Sequence, residues 1–489
     1  MADKKKYWRG IAELENPGLT ETLGKNEFPE KLPTDKFLGN KESLESSNTS
    51  RRDFLKYMGF TTAAATLAAC ESPVVESIPY AVAPEEVIPG IANYYATSYF
   101  DGHDFASILL KTREGRPIKV ENNKLAKYNG GANTRVHASV LSLYDDTRLK
   151  KPLVNGEESS WDSLDSGVKA GLEKAQAEGK QIVLLTGTVM SPSTKMLVKK
   201  FAAKYSNVRH VSVDEYSYSN KLDAYQKDTG KRALPTYKFD EARVVVSFGA
   251  DFLGDWTGQR VSGDFSKTRV PGENMSYHAQ FEANMSLTGA NADQRYKASY
   301  AQQGLELIAL HNAIAKAKGL PILAGGKSIY PKQIDKLAQE LIKAGKHGLV
   351  VSGANDEDRE RIVIAINKML DNDGTTLSYS TRAYFRQGND ANMQAVLADM
   401  QKDKVGAVIV HNVNPAYSAS ASSKFAEAYA KVPTRVAISQ KNDETATLSN
   451  YVACEHHAYE SWSDYMPVDN YYTIQQPAIQ PLFKTRQME

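Results

Sequence analysis

Cysteine is almost absent from this 489-residue chain, and Cys70 and Cys454 are the whole supply. That excludes a disulfide-stapled scaffold, and it excludes a complete set of cysteine ligands for an iron–sulfur cluster, which takes about four thiolates. Long apolar runs are missing as well: none reaches the ~18–20 residues of a membrane-spanning helix, so attachment to a membrane has to come from lipid or from partners. Charge of one sign is not in excess, with a net charge of +2 and 9% aromatic residues. No basic stripe suggests nucleic acid as a partner. Walker loops, H-E-x-x-H and Ser-His-Asp spacings do not occur. The length leaves room for two or three ordinary domains with a sizeable core.

What is present is organised around Ser50 to Cys70, SRRDFLKYMGFTTAAATLAAC. The pair Arg51-Arg52, a short apolar run from Tyr57 to Ala69 and then Leu67-Ala68-Ala69-Cys70 follow the order of a twin-arginine lipoprotein export signal. Arg51 and Arg52 are the export-signal residues and Cys70 the expected lipid anchor. A chance arginine pair before an alanine-rich helix is the plainer alternative. The signal places everything after Cys70 on the periplasmic side of a bacterial inner membrane, lipid-anchored. Residues 1–49, broken by Pro17, Pro29 and Pro33 and rich in charge, read as an extended targeting leader. Residues 71–90 carry Pro73, Pro79, Pro84 and Pro89 and read as an extended tether.

The body is expected to be α/β. Residues 91–155 form a β-containing N-terminal part, with strands over Phe105–Lys111 and Ile118–Glu121 joined by a hairpin turn at Glu114-Gly115. Residues 156–300 form a first α/β domain. Leu164, Val168, Leu172 and Ala175 share a helix face closed by Gly179, and Ser191 with Pro192 opens a second helix. Ile182–Thr186, Val211–Val213 and Val244–Phe248 are apolar runs of strand length without polar alternation, which suits a parallel sheet covered on both faces. A long insertion, Asp251–Tyr300, precedes a second α/β domain over 301–489. There, helices are expected at Leu305–Ala317, Lys332–Ala344, Asp356–Leu370 and Ala391–Lys402, and strands at Leu349–Ser352, Val405–Val410 and Arg435–Ser439.

Few clusters carry chemistry. Gly187, Gly249 and Gly353 each end a strand, where a glycine lets backbone amides approach a ligand or simply makes a tight turn. Cys454, Glu455, His456 and His457 invite a metal, although strand alternation lets only Cys454 and His456 converge. Asp293 with Arg295, and Glu460 with Asp464, offer ion or acid–base pairs. No catalytic, cofactor-binding or metal residue is assigned from these.

The run Tyr144-Asp145-Asp146-Thr147-Arg148-Leu149-Lys150-Lys151-Pro152-Leu153, followed by Trp161, resembles the segment that introduces the second domain of molybdopterin-dependent oxidoreductases. Val245 to Leu253, Thr288 to Asp293, Asn414-Pro415-Ala416, Glu444-Thr445-Ala446, Glu460 to Asp464 and Gln476-Pro477 continue the series in that family's order, from Tyr94 to the end. With the long leader and lipoprotein signal, the chain is similar to the molybdopterin-oxidoreductase-like N-terminal half of the large iron–sulfur subunit of alternative complex III, a quinol:acceptor oxidoreductase. The resemblance implies a small β-hairpin-containing part and two Rossmann-like βαβ domains. Departures from the wider family bear on the cofactor. Tyr94 to Asp104 lacks the cysteine set that holds an iron–sulfur cluster beside the pterin. His137-Ala138-Ser139 lacks the later cysteine, and Gln302-Gln303-Gly304 stands where a proline-glycine turn approaches the pterin phosphate.

These departures lead to the expectation of a non-catalytic, lipid-anchored scaffold subunit, or fragment of one, in a respiratory quinol:cytochrome c oxidoreductase. This chain would itself bind no cofactor. Iron–sulfur clusters would belong to a ferredoxin-like half or subunit that the chain does not reach by Glu489, and heme c to a multiheme cytochrome c partner beside integral membrane quinol-binding subunits. Two alternatives stand beside it. One is a catalytic molybdopterin subunit using a partner's cluster, with a positively lined pocket near Gly187, Gly249 and Gly353. The other is a periplasmic solute-binding lipoprotein.

Overall fold

The computed structural model describes Ile88, residues 90–259 and residues 261–488. The leader, Arg51, Arg52, Cys70 and nearly all of the proline tether lie outside the described residues.

The body opens with β1 (Asn93–Phe100), β2 (Phe105–Arg113) and β3 (Arg116–Asn122), an antiparallel sheet in that order. Its hairpin turn is Glu114-Gly115, and both residues have positive φ, 50° and 74°. Two successive residues of this kind give the turn a twist that matches the flanking strands. Ala106, Ile108 and Leu110 of β2 bury against Val136, Val140 and Leu143 of the helix Thr134–Leu143.

The remaining strands are β4 (Leu153–Val154), β5 (Glu157–Glu158), β6 (Gln181–Thr186), β7 (Val208–Ser212), β8 (Leu234–Tyr237), β9 (Val244–Phe248), β10 (Tyr277–Glu282), β11 (Gln294–Lys297), β12 (Gly348–Ser352), β13 (Leu377–Ala383), β14 (Val405–His411), β15 (Thr434–Ser439), β16 (Tyr451–Cys454), β17 (Ser463–Val468) and β18 (Tyr471–Gln475). They sort into a seven-stranded sheet, β5-β4-β16-β15-β14-β6-β7, and two four-stranded sheets, β11-β10-β9-β12 and β18-β17-β13-β8.

In the seven-stranded sheet the run from β16 to β7 is parallel, with β4 and β5 added antiparallel at one edge. Its side chains alternate between two covered faces. Ile182, Ala407 and Ile409 pack under the helices Trp161–Ala177 and Pro192–Lys204, through Leu172, Ala175, Phe201 and Tyr205. Val183, Leu185, Val408 and Val410 pack under Val396, Met400, Phe425 and Tyr429 on the opposite side. The second helix starts where Ser191 and Pro192 place it, the Ser191 hydroxyl accepting from the Thr194 amide at 2.9 Å.

Two expectations give way. Asp251–Tyr300 contains β10 and β11, which extend the parallel sheet of β9 and β12, so it is part of that sheet rather than an insertion. Nor do the sheets follow a boundary at residue 300, because β6 pairs with β14 and β9 with β12. Alternating helix and strand patterns fix which elements form, whereas strand partners are chosen by long-range packing that no local pattern records.

Candidate functional site

Because β7, β6, β14, β15 and β16 run parallel, their carboxyl ends open on one side, where ligands sit in sheets of this kind. The loops that follow them carry Asp214, Gly187 with Thr188, Asn412 with Asn414, Gln440 with Lys441, and Glu455. They line two cavities of about 370 Å³ and about 290 Å³. Both are bordered by Asp101, Gly187, Asn412, Gln440 and Glu455, so they form one cleft. Asp101, Gly102 and His103, from the β1–β2 connection, and Arg386, beyond β13, close it from the other side.

Backbone conformation marks two of these residues. Asn412 and Arg386 both have φ of 55°, the left-handed region that side chains other than glycine seldom occupy. Asn412 is gripped between two glycines: a Cβ on Gly102 would lie 2.7 Å from its Nδ2, and one on Gly187 would lie 2.9 Å from its carbonyl oxygen. Arg386 is 2% exposed. It donates from one amino group to the His103 carbonyl at 2.6 Å, and its other amino group meets His103 Nε2 at 2.8 Å. Its Nε is buried without a partner. Strained backbone and an unpaired buried donor at a cleft wall are the features that accompany ligand sites.

The electrostatics are acidic. Asp101, Asp214, Glu215, Asp443 and Glu455 line the larger cavity against Arg386 and Lys441, and Lys441 is already paired with Asp145. Burial pushes the carboxyls of Asp101, Asp214 and Asp443 above the usual carboxylate range, against the backbone amides that favour their ionised forms. Glu455 Oε2 meets His411 Nε2 at 3.0 Å.

The residues singled out in the sequence are dispersed. Gly187 lines the cleft, but Gly249 and Gly353 end β9 and β12 in the other parallel sheet and serve each other. A Cβ on Gly353 would sit 2.1 Å from the Gly249 carbonyl oxygen, which makes this pair a close backbone contact. A positively lined pocket around the three glycines is therefore not what the structure holds. Cys454 and His456 do not converge on a metal. The buried Cys454 faces the Lys484 carbonyl at 3.9 Å with its thiol pushed up to about 11 by burial, while His456 Nδ1 pairs with Thr485 Oγ1 at 2.5 Å. Asp293 pairs with Arg269 and Arg295 with Glu282, not with each other. Glu460 pairs with Arg148, and Asp464 binds Ser193 Oγ at 2.8 Å. Sequence inspection missed Arg386, Asp214 and Asn412. Their signal was position alone, Asn412 being the first residue after its parallel strand and Asp214 the second after its own. For Arg386 there was none.

No protein-family model matches the chain. The fold is that of the molybdopterin oxidoreductases: the body superposes on the structure of acetylene hydratase from Pelobacter acetylenicus with a TM-score of 0.60 at 10% identity, over 81% of this chain and 68% of that one. In sequence it is 24% identical over 432 residues to the menaquinone reductase, molybdopterin-binding-like subunit of Nitratidesulfovibrio vulgaris. That match takes in 78% of this chain, and the chain spans 61% of the relative's length. Together they support a molybdopterin-oxidoreductase-like relationship. They also stand against the expectation that the chain binds no cofactor, because the relative is named a molybdopterin-binding-like subunit.

The cleft fits one end of such a group. A pterin ring presents an edge of N–H donors beside a carbonyl, and the side-chain oxygens of Glu455, Gln440 and Asn412 at the cavity wall are acceptors for such donors. A phosphate tail finds no matching cluster of free cations here.

Proposed function

We propose that this protein is the molybdopterin-binding-like subunit of a membrane-associated respiratory quinone oxidoreductase. The observation that carries this is the similarity to a menaquinone reductase subunit along 78% of the chain. The shared fold and the cleft at the carboxyl ends of the parallel strands agree with it. Glu455, Gln440 and Asn412 would hold the ring of the cofactor, which when bound supplies redox chemistry. The body positions electron-carrying partners against membrane subunits that handle the quinol. The partner set follows the resemblance to alternative complex III: a ferredoxin-like iron–sulfur half or subunit, a multiheme cytochrome c and integral membrane subunits. Arg51-Arg52 would direct export and Cys70 would anchor the protein on the periplasmic face.

Affinity isolation of the full chain from native membranes tests this. Recovered assemblies should contain heme- and iron–sulfur-bearing partners and should oxidise a short-chain quinol analogue. Recovery of the chain alone, with unchanged membrane quinol oxidation in a deletion strain, would overturn it. Intact-mass analysis of the amino terminus checks the anchor, because acylation predicts a mature protein starting at Cys70.

A further inference from the structure

The helices Tyr300–Ala317 and Pro331–Ala344 both bury apolar faces on the sheet β11-β10-β9-β12, and the connection between them has an unusual surface. Its residues Gly319 to Gly325, GLPILAG, are consecutive exposed positions without one polar side chain. Leu320 is 45% exposed, Ile322 64% and Leu323 38%, and Ile329 adds another 59%. Loop positions that face water are normally polar or glycine, so an uninterrupted aliphatic run marks a surface that something covers.

Loose folding does not explain the exposure, because the backbone of this connection is fixed along the helix Tyr300–Ala317. The Leu320 amide donates to the Ala315 carbonyl at 2.8 Å. Asn312 brackets Leu323, accepting from its amide at 2.8 Å and donating to its carbonyl at 2.9 Å. Gly326, at φ of 81°, lies so close to the helix that a Cβ there would meet Ile308 Cγ2 at 2.6 Å. The buried Glu306 accepts from Ser328 Oγ at 2.5 Å and from the Ile329 amide at 2.9 Å. These main-chain groups are satisfied inwards, and aliphatic side chains are what the loop offers outwards.

The charge that flanks the run is nearly all of one sign. Between 316 and 336 the chain carries Lys316, Lys318, Lys327, Lys332 and Lys336 against the single acid Asp335. All of these lysines are exposed. Lys318 reaches the Met369 carbonyl and Lys336 the Tyr277 ring, neither of them an acid. Aliphatic side chains among lysines suit an anionic bilayer: the hydrocarbon enters the headgroup boundary, and the ammonium groups stay at phosphate level on their long stems. A protein interface would favour aromatic and arginine anchors and is depleted in lysine. Residues 316–329 contain no aromatic residue and no arginine.

We propose that the connection Gly319–Ile329 is a membrane-docking loop that seats this face of the body on anionic phospholipid. The assignment goes beyond the function proposed above and depends neither on the cofactor nor on acylation of Cys70.

A label on the loop tests this without confusion from attachment through the amino-terminal residues. In full-length protein carrying Cys70→Ser and Ile322→Cys, an environment-sensitive fluorophore enters at position 322, because Cys454 is buried. Phosphatidylcholine vesicles containing about one-third phosphatidylglycerol should shift its emission to the blue, and lipids brominated along the acyl chain should quench it. Pure phosphatidylcholine should be bound at least roughly tenfold more weakly. Ile322→Asp, read from a label moved to Leu320→Cys, should abolish the response, and Lys327→Gln/Lys332→Gln should weaken partitioning roughly tenfold. All substituted loop positions are exposed, so no core is disturbed. A label at 322 that neither shifts nor is quenched would overturn the proposal even if the chain sediments with the vesicles, and so would a response unchanged by Ile322→Asp. A photocrosslinker at 322 in native membranes should capture lipid; a protein adduct would show that a partner covers the loop and would equally overturn it. Recovery of heme- and iron–sulfur-bearing partners is read separately, so the docking surface and the subunit assignment can fail independently.

Discussion

At the scale of single residues, several buried ionisable groups make stability depend on pH and on exact pairing. His278 is fully buried between the rings of Phe252 and Phe265, and burial pushes its pKa down to about 4. The imidazole is therefore neutral in the folded protein and becomes charged in the unfolded chain once the pH falls below about 6.5. Its contribution is fully present above that pH and is lost as the pH falls towards 4. At pH 5 the loss is about 2 kcal/mol relative to pH 7. Urea unfolding of the wild type and of His278→Phe should show the stability difference between them shifting by that amount in favour of the variant at pH 5, and a constant difference would contradict the assignment. Arg148 and Glu460 form a second such group, with side chains 1% and 0% exposed and Nη2 to Oε2 at 2.6 Å. Arg148→Met leaves the Glu460 carboxyl buried without its cation and should cost about 3–5 kcal/mol. The double variant Arg148→Met/Glu460→Gln should recover part of this in the same unfolding assay. The sequence shows Glu460 only next to Asp464; its actual partner lies 312 residues away, a separation that local inspection cannot bridge.

At the scale of elements the sequence is far more informative, because helices and turns are specified by neighbours. Ser191 and Pro192 open their helix as their chemistry requires, and the apolar run Val244–Phe248 is a strand with those bounds. The sheet β18-β17-β13-β8 was not legible. β13 reads LSYSTRA, with neither a clean alternation nor an apolar run, and its pairing with β8 shifts register between Ser378 and Arg382. Such irregular strands are held by the aromatic cluster around Phe105, Phe385 and Tyr465 rather than by period. Turn chemistry also predicts a gain. Glu114 occupies a left-handed position next to Gly115, where asparagine is favoured and glutamate is strained. Glu114→Asn should stabilise the protein by about 0.5–1 kcal/mol, read as a rise in the unfolding midpoint at unchanged denaturant dependence. A fall in the midpoint would mean that Glu114 makes a contact worth more than the strain it bears.

At the scale of the whole molecule, the cleft exists because strands far apart in sequence share one sheet. Its floor needs β6 and β7 from the first half of the body and β14, β15 and β16 from the second. Position along the chain suggested a division near residue 300, and each half does carry its own helix–strand alternation. Yet Val183 and Leu185 bury against Val408 and Val410, and Val246 against Val350. Splitting the chain there would expose the apolar edges of both parallel sheets, and no complete core would remain in either piece. Fragments 88–299 and 300–488, produced separately, should therefore lack cooperative thermal unfolding and bind hydrophobic dye. Mixing them should restore a cooperative transition, provided that association repairs the β6–β14 and β9–β12 pairings. If the 300–488 fragment melts cooperatively alone, the sheets tolerate loss of their partners, and the cleft would be an interface between two autonomous domains rather than a product of one interleaved fold.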